Sequence, residues 1–208
     1  MNTIITIGRQ FGSGGREIGA KLAEELNIPY YDKEIISRAA KDSGFCEEII
    51  KNNDERPTSS FLYNLVMDTY SMGYNSSSFV DMPISHKVFL AQFDAIKAVA
   101  DEGPCVIVGR CADYALADRS DVINLFISAD TSCKVKRVMD RHPEIKTESK
   151  AKDIIAKKDK QRASYYNYYS NNKWGQAETY DFCINSSRLG IDGTVELIKQ
   201  IISSFENK

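Results

Sequence analysis

A short β-branched run, TIITI at 3–7, feeds directly into GRQFGSGGR at 8–16, where four glycines fall within eight positions. A run of that composition and length reads as a buried strand. From Arg16 the segment REIGAKLAEELN puts Ile18, Leu22 and Leu26 on one helical face, with Asn27 as its end and Pro29 as its stop. A strand, a glycine turn and a helix start, in that order, can wrap backbone N–H groups around a phosphate. The positive end of the helix adds to the attraction. Gly12, Gly14 and Gly15, with Ser13 among them, remove side chains that would block such an approach.

The usual phosphate loop ends GK[ST], with the lysine on the β and γ phosphates and the hydroxyl on magnesium. Those two positions here are Gly15 and Arg16, so the strict pattern fails. Arg16 brings a charge one position later and Arg9 stands at the loop's mouth, each offering a forked donor in place of a mobile ammonium. Mg2+ is then expected to be held through ATP phosphates and water, with no metal-ligating residue assigned in the protein. A dinucleotide GxGxxG would need glycine at 17, which is Glu17. A purely structural βα turn stays open as the other reading of the motif.

Downstream the same alternation continues. IPYYD at 28–32 is a second short strand, and DKEIISRAAKDSG reads as a helix opened by Asp32 and closed by Gly44. Amphipathic spacing returns around 85–103, followed by strands at CVIVG (105–109), DVINLFIS (121–128) and FCIN (182–185). Helices are predicted over 131–141 and 148–170, and GTVELIKQII closes the chain. Strands alternating with helices predict a parallel sheet covered on both faces, with ligands beyond the carboxyl ends of the strands. The stretch 45–80 differs, with NNDERPTSS, scattered aromatics and NSSS, and reads as short helices and loops inserted between core elements.

Charge narrows the function. With 27 Lys and Arg against 29 Asp and Glu, no global basic field points to nucleic acid. Five cysteines without a CxxC and only two histidines leave a structural zinc site little to use. No run of 18 apolar residues occurs, so no membrane span is expected, and a cytoplasmic protein is the expectation.

TIGRQFGSGGREIGAKLAEELNIPYYDKEII, with the later VGR at 108–110 and RASYYNYYSNNKWG at 162–175, resembles the cytidylate kinase-like family, a variant branch of the P-loop nucleoside monophosphate kinases. The resemblance spans nearly the whole chain. It implies a P-loop NTPase three-layer α/β fold, a five-stranded parallel sheet in the order 2-3-1-4-5, and one domain over 1–208. An acceptor-binding insertion is expected at about 45–84 and a lid at about 137–172. It implies transfer of the ATP γ-phosphate to CMP or dCMP, with ATP and a pyrimidine nucleoside monophosphate as partners.

Site residues follow from the same resemblance. Gly12, Ser13, Gly14, Gly15 and Arg16 would take ATP phosphates. Asp32, Arg38 and Arg110 would hold the acceptor, although Cys111 stands where the kinases have an aspartate, with Asp113 two residues later. In the insertion, Arg56, Ser77, Asp81 and nearby tyrosines are candidates for reading cytosine. Arg137 and Arg141 share a helix face, and Asp159 and Arg162 lie one turn apart on the next helix. Arg16, Arg137, Arg141 and Arg162 would act on the transferring phosphate, with Asp159 orienting a neighbouring arginine. Two alternatives remain: a nucleotide-binding regulatory protein with a degenerate kinase site, or a kinase for another small phosphate acceptor.

Overall fold

In a computed structural model of the protein, residues 2–44, 47–53 and 83–207 are described. Most of the expected insertion, with Arg56, Ser77 and Asp81, lies outside them. Five strands form one sheet: β1 (Ile4–Arg9), β2 (Tyr30–Tyr31), β3 (Val106–Val108), β4 (Val122–Ser128) and β5 (Phe182–Asn185). Their order is β2-β3-β1-β4-β5 and every pairing is parallel. The P-loop NTPase order read from the sequence is the observed one.

The central strand explains its own composition. β1 pairs on both sides, with Ile5 opposite Val106 and Ile123, and Ile7 opposite Val108 and Leu125. Strands buried on both faces need apolar residues at successive positions, and Ile4, Ile5 and Ile7 are all essentially inaccessible. Thr6 is tolerated there because its hydroxyl donates to Asn124 Oδ1 at 2.7 Å.

Helices cover both faces. On one, Ile5, Ile7, Val108 and Leu125 pack against Ile18 and Leu22 of α1 (Gly15–Leu26) and Val195 and Ile198 of α8 (Ser186–Glu206). On the other, Ile4 and Ile107 meet α2 (Glu34–Ser43), α3 (Glu47–Asn53), α4 (Ile84–Asp101), α5 (Ala112–Ala115) and the tyrosine end of α7 (Glu148–Tyr169). A third, smaller cluster joins α6 (Thr131–Arg141) to α7 through Val135, Val138, Ile145, Ala151 and Ile155, with Phe11 of the glycine loop packed on it. The two helices richest in basic residues are thereby seated on the loop.

Several boundaries were legible. Asn27 ends α1 in the left-handed conformation and Gly44 does the same for α2. The cap of α2 was not. Its N-cap is Lys33, because the Asp32 carboxylate is drawn away by two arginines. Glu34 Oε2 instead accepts from Asp32 N at 2.9 Å. The last helix begins at Ser186, well before the expected segment, and bends at Gly190, whose φ of 69° interrupts it. Among the described residues no helix is long and apolar enough to cross a membrane.

His86 of α4 is buried in the tyrosine-rich core, with Nε2 2.9 Å from Tyr168 Oη. Desolvation lowers its pKa from the ordinary 6.5. The folded protein resists a proton there that the unfolded chain accepts. This part of the stability is therefore complete above pH 6.5 and is lost as pH falls through the lowered folded value. Thermal melts from neutral pH down to about pH 5 should show a loss that is shallower in His86→Asn.

Candidate active site

The glycine loop leaves β1 at the carboxyl edge of the sheet, where Gln10 N donates to Ile127 O at 3.0 Å. Ser13 N and Oγ both donate to Gln10 O, at 3.3 and 2.9 Å, and close the turn. Gly12 and Gly14 have φ of 79° and 83°, a region costly for residues with a side chain. Space excludes a Cβ as well. At Gly12 it would stand 3.0 Å from Lys134 O and from Val138 Cγ2, and at Gly14 2.5 Å from Ile191 Cδ1. The left-handed backbone favours glycine at both positions, and close packing on α6 and α8 leaves a side chain little room. That constraint adds to the sequence expectation that they clear room for a ligand. Behind the loop, Arg137 Nη1 donates to Ser13 O at 2.9 Å and Ser186 Oγ to the same carbonyl at 2.6 Å. With that carbonyl held from behind, Gly14 caps α1 without a side chain of its own, and Gly15 N, the first N–H of the helix, makes a long hydrogen bond to Ser13 Oγ at 3.4 Å.

In front of the loop lies a cleft of about 570 Å3, within the range of small-molecule sites. Gly12, Gly14 and Gly15 form one wall, and six arginines enter it: Arg9, Arg16, Arg110, Arg137, Arg141 and Arg162. Lys33 and Lys158 add to them, and among the described lining residues Asp32 is the one carboxylate. Such a concentration of cations is costly without counter-charge, so the cleft is built for an anion.

Asp32 organises one end of it. Its Oδ1 accepts from Arg110 Nη1 at 2.9 Å and its Oδ2 pairs with Arg16 Nε at 2.8 Å. The Asp32 and Arg110 side chains are only 7% and 3% exposed, whereas that of Arg16 is 59% exposed. Arg110 stands on an unusual turn. Gly109, Arg110 and Cys111 are all left-handed, with φ of 79°, 58° and 55°. Elsewhere in the cleft Arg162 Nη1 donates to Arg9 O at 3.2 Å, and Arg141 pairs with Glu17 in the first turn of α1.

The remaining sequence candidates sit elsewhere. Arg38 is not among the lining residues. It is held by Asp42 at 2.7 Å and Glu102 at 2.9 Å, on the side of α2 that meets α4. Asp113 accepts from Tyr166 Oη and lines a separate small cavity, and burial raises its carboxyl pKa. Asp159 lies behind the loop, where Oδ1 accepts from Phe11 N at 2.6 Å and Oδ2 is 3.5 Å from Lys134 Nζ. Burial raises its pKa too. Lining residues that the sequence reading missed are Gln10, Lys33, His142, Lys158 and Gln161. For Lys158 a signal existed, since it shares a helical face with Arg162 at a spacing of four.

Among the described residues no group of three or more His, Cys, Asp or Glu could hold a metal. The carboxylate in the cleft, Asp32, is already engaged by two guanidiniums. The donor set therefore fits a cation carried in on phosphate oxygens rather than one ligated directly by carboxylates.

Residues 4–188 match the profile of the cytidylate kinase-like family. The chain belongs to that family. Membership supports phosphotransferase-type chemistry in general. A crystal structure of an uncharacterized protein from Eubacterium ventriosum ATCC 27560 is 34% identical, with 98% of this chain and 99% of that chain covered and a TM-score of 0.73. Shikimate kinase from Bacteroides thetaiotaomicron shares 14% identity over 97% of this chain and 98% of that chain, with a TM-score of 0.55. TT1252 from Thermus thermophilus, also at 14%, covers 97% of both chains with a TM-score of 0.52. Both of these show a shared fold. No curated protein matches this cytidylate kinase-like sequence.

Two outcomes are expected from this geometry. Asp32→Ala removes the carboxylate that neutralises the buried Arg110 guanidinium and should cost about 3 kcal/mol in urea unfolding. Gly14→Val forces a β-branched residue into φ +83° against Ile191 and should weaken ATP binding, measured by calorimetry, by at least about ten-fold. Unchanged affinity would place the nucleotide away from this loop.

Proposed function

We propose that the chain transfers the γ-phosphoryl group of ATP to a pyrimidine nucleoside monophosphate, CMP or dCMP, yielding ADP and the nucleoside diphosphate. The observation that carries this reading is the convergence of arginines from β1, α1, the turn after β3, α6 and α7 on one cleft facing the glycine loop. A turn kept only for structure does not require cations from so many separate segments.

In this reading the N–H groups of Gly12 to Arg16 and the start of α1 cradle the donor phosphates. Arg110 and Arg16, pre-set by Asp32, take the acceptor phosphate at the other end. Arg141 and Arg162 donate to the equatorial oxygens of the transferring group, and Arg137 shapes the loop from behind while lining the cleft. An oxygen of the acceptor phosphate forms the new bond to the γ phosphorus as the bond to the β–γ bridging oxygen breaks in line and ADP leaves. The acceptor enters as its dianion, so no side chain has to remove a proton. Positioning and charge stabilisation carry the rate. Mg2+, carried on the ATP phosphates and water, would neutralise charge on the β and γ oxygens. The α6–α7 pair, Thr131–Tyr169, serves as the lid, and its seat on Phe11 lets it exclude water when the cleft is filled.

Arg38 has no place in this assignment, because two carboxylates hold it outside the cleft. The kinetic contrast is sharp. Arg110→Ala should lower kcat/KM for CMP about thirty-fold, equivalent to about 2 kcal/mol, with ATP affinity little changed. Arg38→Ala should stay near wild type. A coupled ADP-release assay across CMP, dCMP, UMP and AMP tests both the chemistry and the acceptor. ATP binding without transfer to any monophosphate would favour the regulatory alternative. Transfer to a different phosphorylated acceptor would retain the kinase and replace CMP.

A further inference from the structure

The YYNYY segment of α7 divides its tyrosines between two jobs. Tyr169 stacks on Phe89 of α4 with ring centroids 4.0 Å apart, and Tyr165 Oη donates to Gln92 Oε1 at 3.3 Å. These two anchor the end of the helix to α4. Tyr166 turns the other way and donates its hydroxyl to Asp113 Oδ2. Asp113 lies three residues after Arg110, and Tyr166 four residues after Arg162. The bond therefore joins the turn that carries one cleft arginine to the helical turn that carries another.

Three further observations bear on this link. Arg110 and Arg162 line both the main cleft and the small cavity, about 20 Å3, into which Asp113 and Tyr166 face. The turn at 109–111 holds two non-glycine residues in the left-handed region, at about 1–2 kcal/mol each. Such backbone persists only where its surroundings over-determine it. Finally, Tyr166 is buried and Asp113 half-buried, and burial raises the pKa of both the carboxyl and the phenol. Hydrogen bonds in such surroundings are stronger than in water.

We infer that Tyr166 and Asp113 are positioning residues whose hydrogen bond keeps Arg110 and Arg162 in register with each other across two neighbouring phosphoryl positions of the cleft. Its kinetic consequence rests on the phosphotransfer reading; its consequence for anion binding does not. A loss of register of about 1 Å between two such donors is costly to rate while leaving the packing of the helix largely intact.

The test compares Tyr166→Phe, Asp113→Ala and Asp113→Asn, with Tyr169→Phe as the same change on the same helix outside the link. Inorganic pyrophosphate is titrated by calorimetry, and kcat and KM are measured with CMP and ATP. Tyr166→Phe and Asp113→Ala should each weaken pyrophosphate binding about five-fold and lower kcat about ten-fold, with KM for ATP nearly constant. Asp113→Asn, whose amide oxygen still accepts from Tyr166, should restore most of both. In the Asp113→Ala background, Tyr166→Phe should add nothing further. Tyr169→Phe should leave kcat at the wild-type value. Wild-type pyrophosphate affinity in both Tyr166→Phe and Asp113→Ala, or no pyrophosphate binding by the wild type, would overturn the inference. Should the wild type bind pyrophosphate yet phosphorylate no monophosphate, the proposed function fails while the pyrophosphate titrations still decide the link.

Discussion

A carboxylate buried between two guanidiniums sets the geometry of this molecule's cleft. Asp32 leaves the short edge strand β2 and meets Arg16 from the first turn of α1 and Arg110 from the turn after β3. Three consecutive strands of the sheet, β2, β3 and β1, are thereby tied together at their carboxyl ends. The arrangement resolves an electrostatic problem. Two arginines placed side by side repel each other and, where buried, lose their hydration. One carboxylate between them offsets part of both costs. The left-handed turn at 109–111 follows from this need, since it is the backbone that carries Arg110 there.

The loop is held by a comparable logic from the other side. A phosphate loop must present N–H groups forward, so its carbonyls need partners behind. Arg137 and Ser186 supply them for Ser13, and Asp159 holds Phe11 N. Arg137 and Asp159 belong to α6 and α7, the helices that also carry Arg141 and Arg162. Loop shape and helix placement are therefore coupled, without a lysine inside the loop.

Much of this is legible in the amino-acid sequence. The five strands and their helices follow from β-branched runs and amphipathic spacing, because a parallel sheet buried on both faces leaves little choice of residue. The cationic segments stood out for a similar reason. Asp32 was misread as a helix cap because capping is a local inference, and its actual partners lie 16 and 78 positions away. Arg38 does not line the cleft but is held on α2 by Asp42 and by Glu102, a partner 64 positions away that no local spacing signals. Asp113 and Tyr166 are 53 residues apart, and neither carries a periodic signal that would pair them.

The most direct test is a crystal structure with a non-hydrolysable ATP analogue, CMP and Mg2+ bound together. The expected result has the donor phosphates over the backbone of Gly12 to Arg16. The CMP phosphate should be held by Arg110 and Arg16 above Asp32, its oxygen in line with the γ phosphorus. A CMP phosphate bound away from Arg110, or donor phosphates away from the loop, would contradict the account.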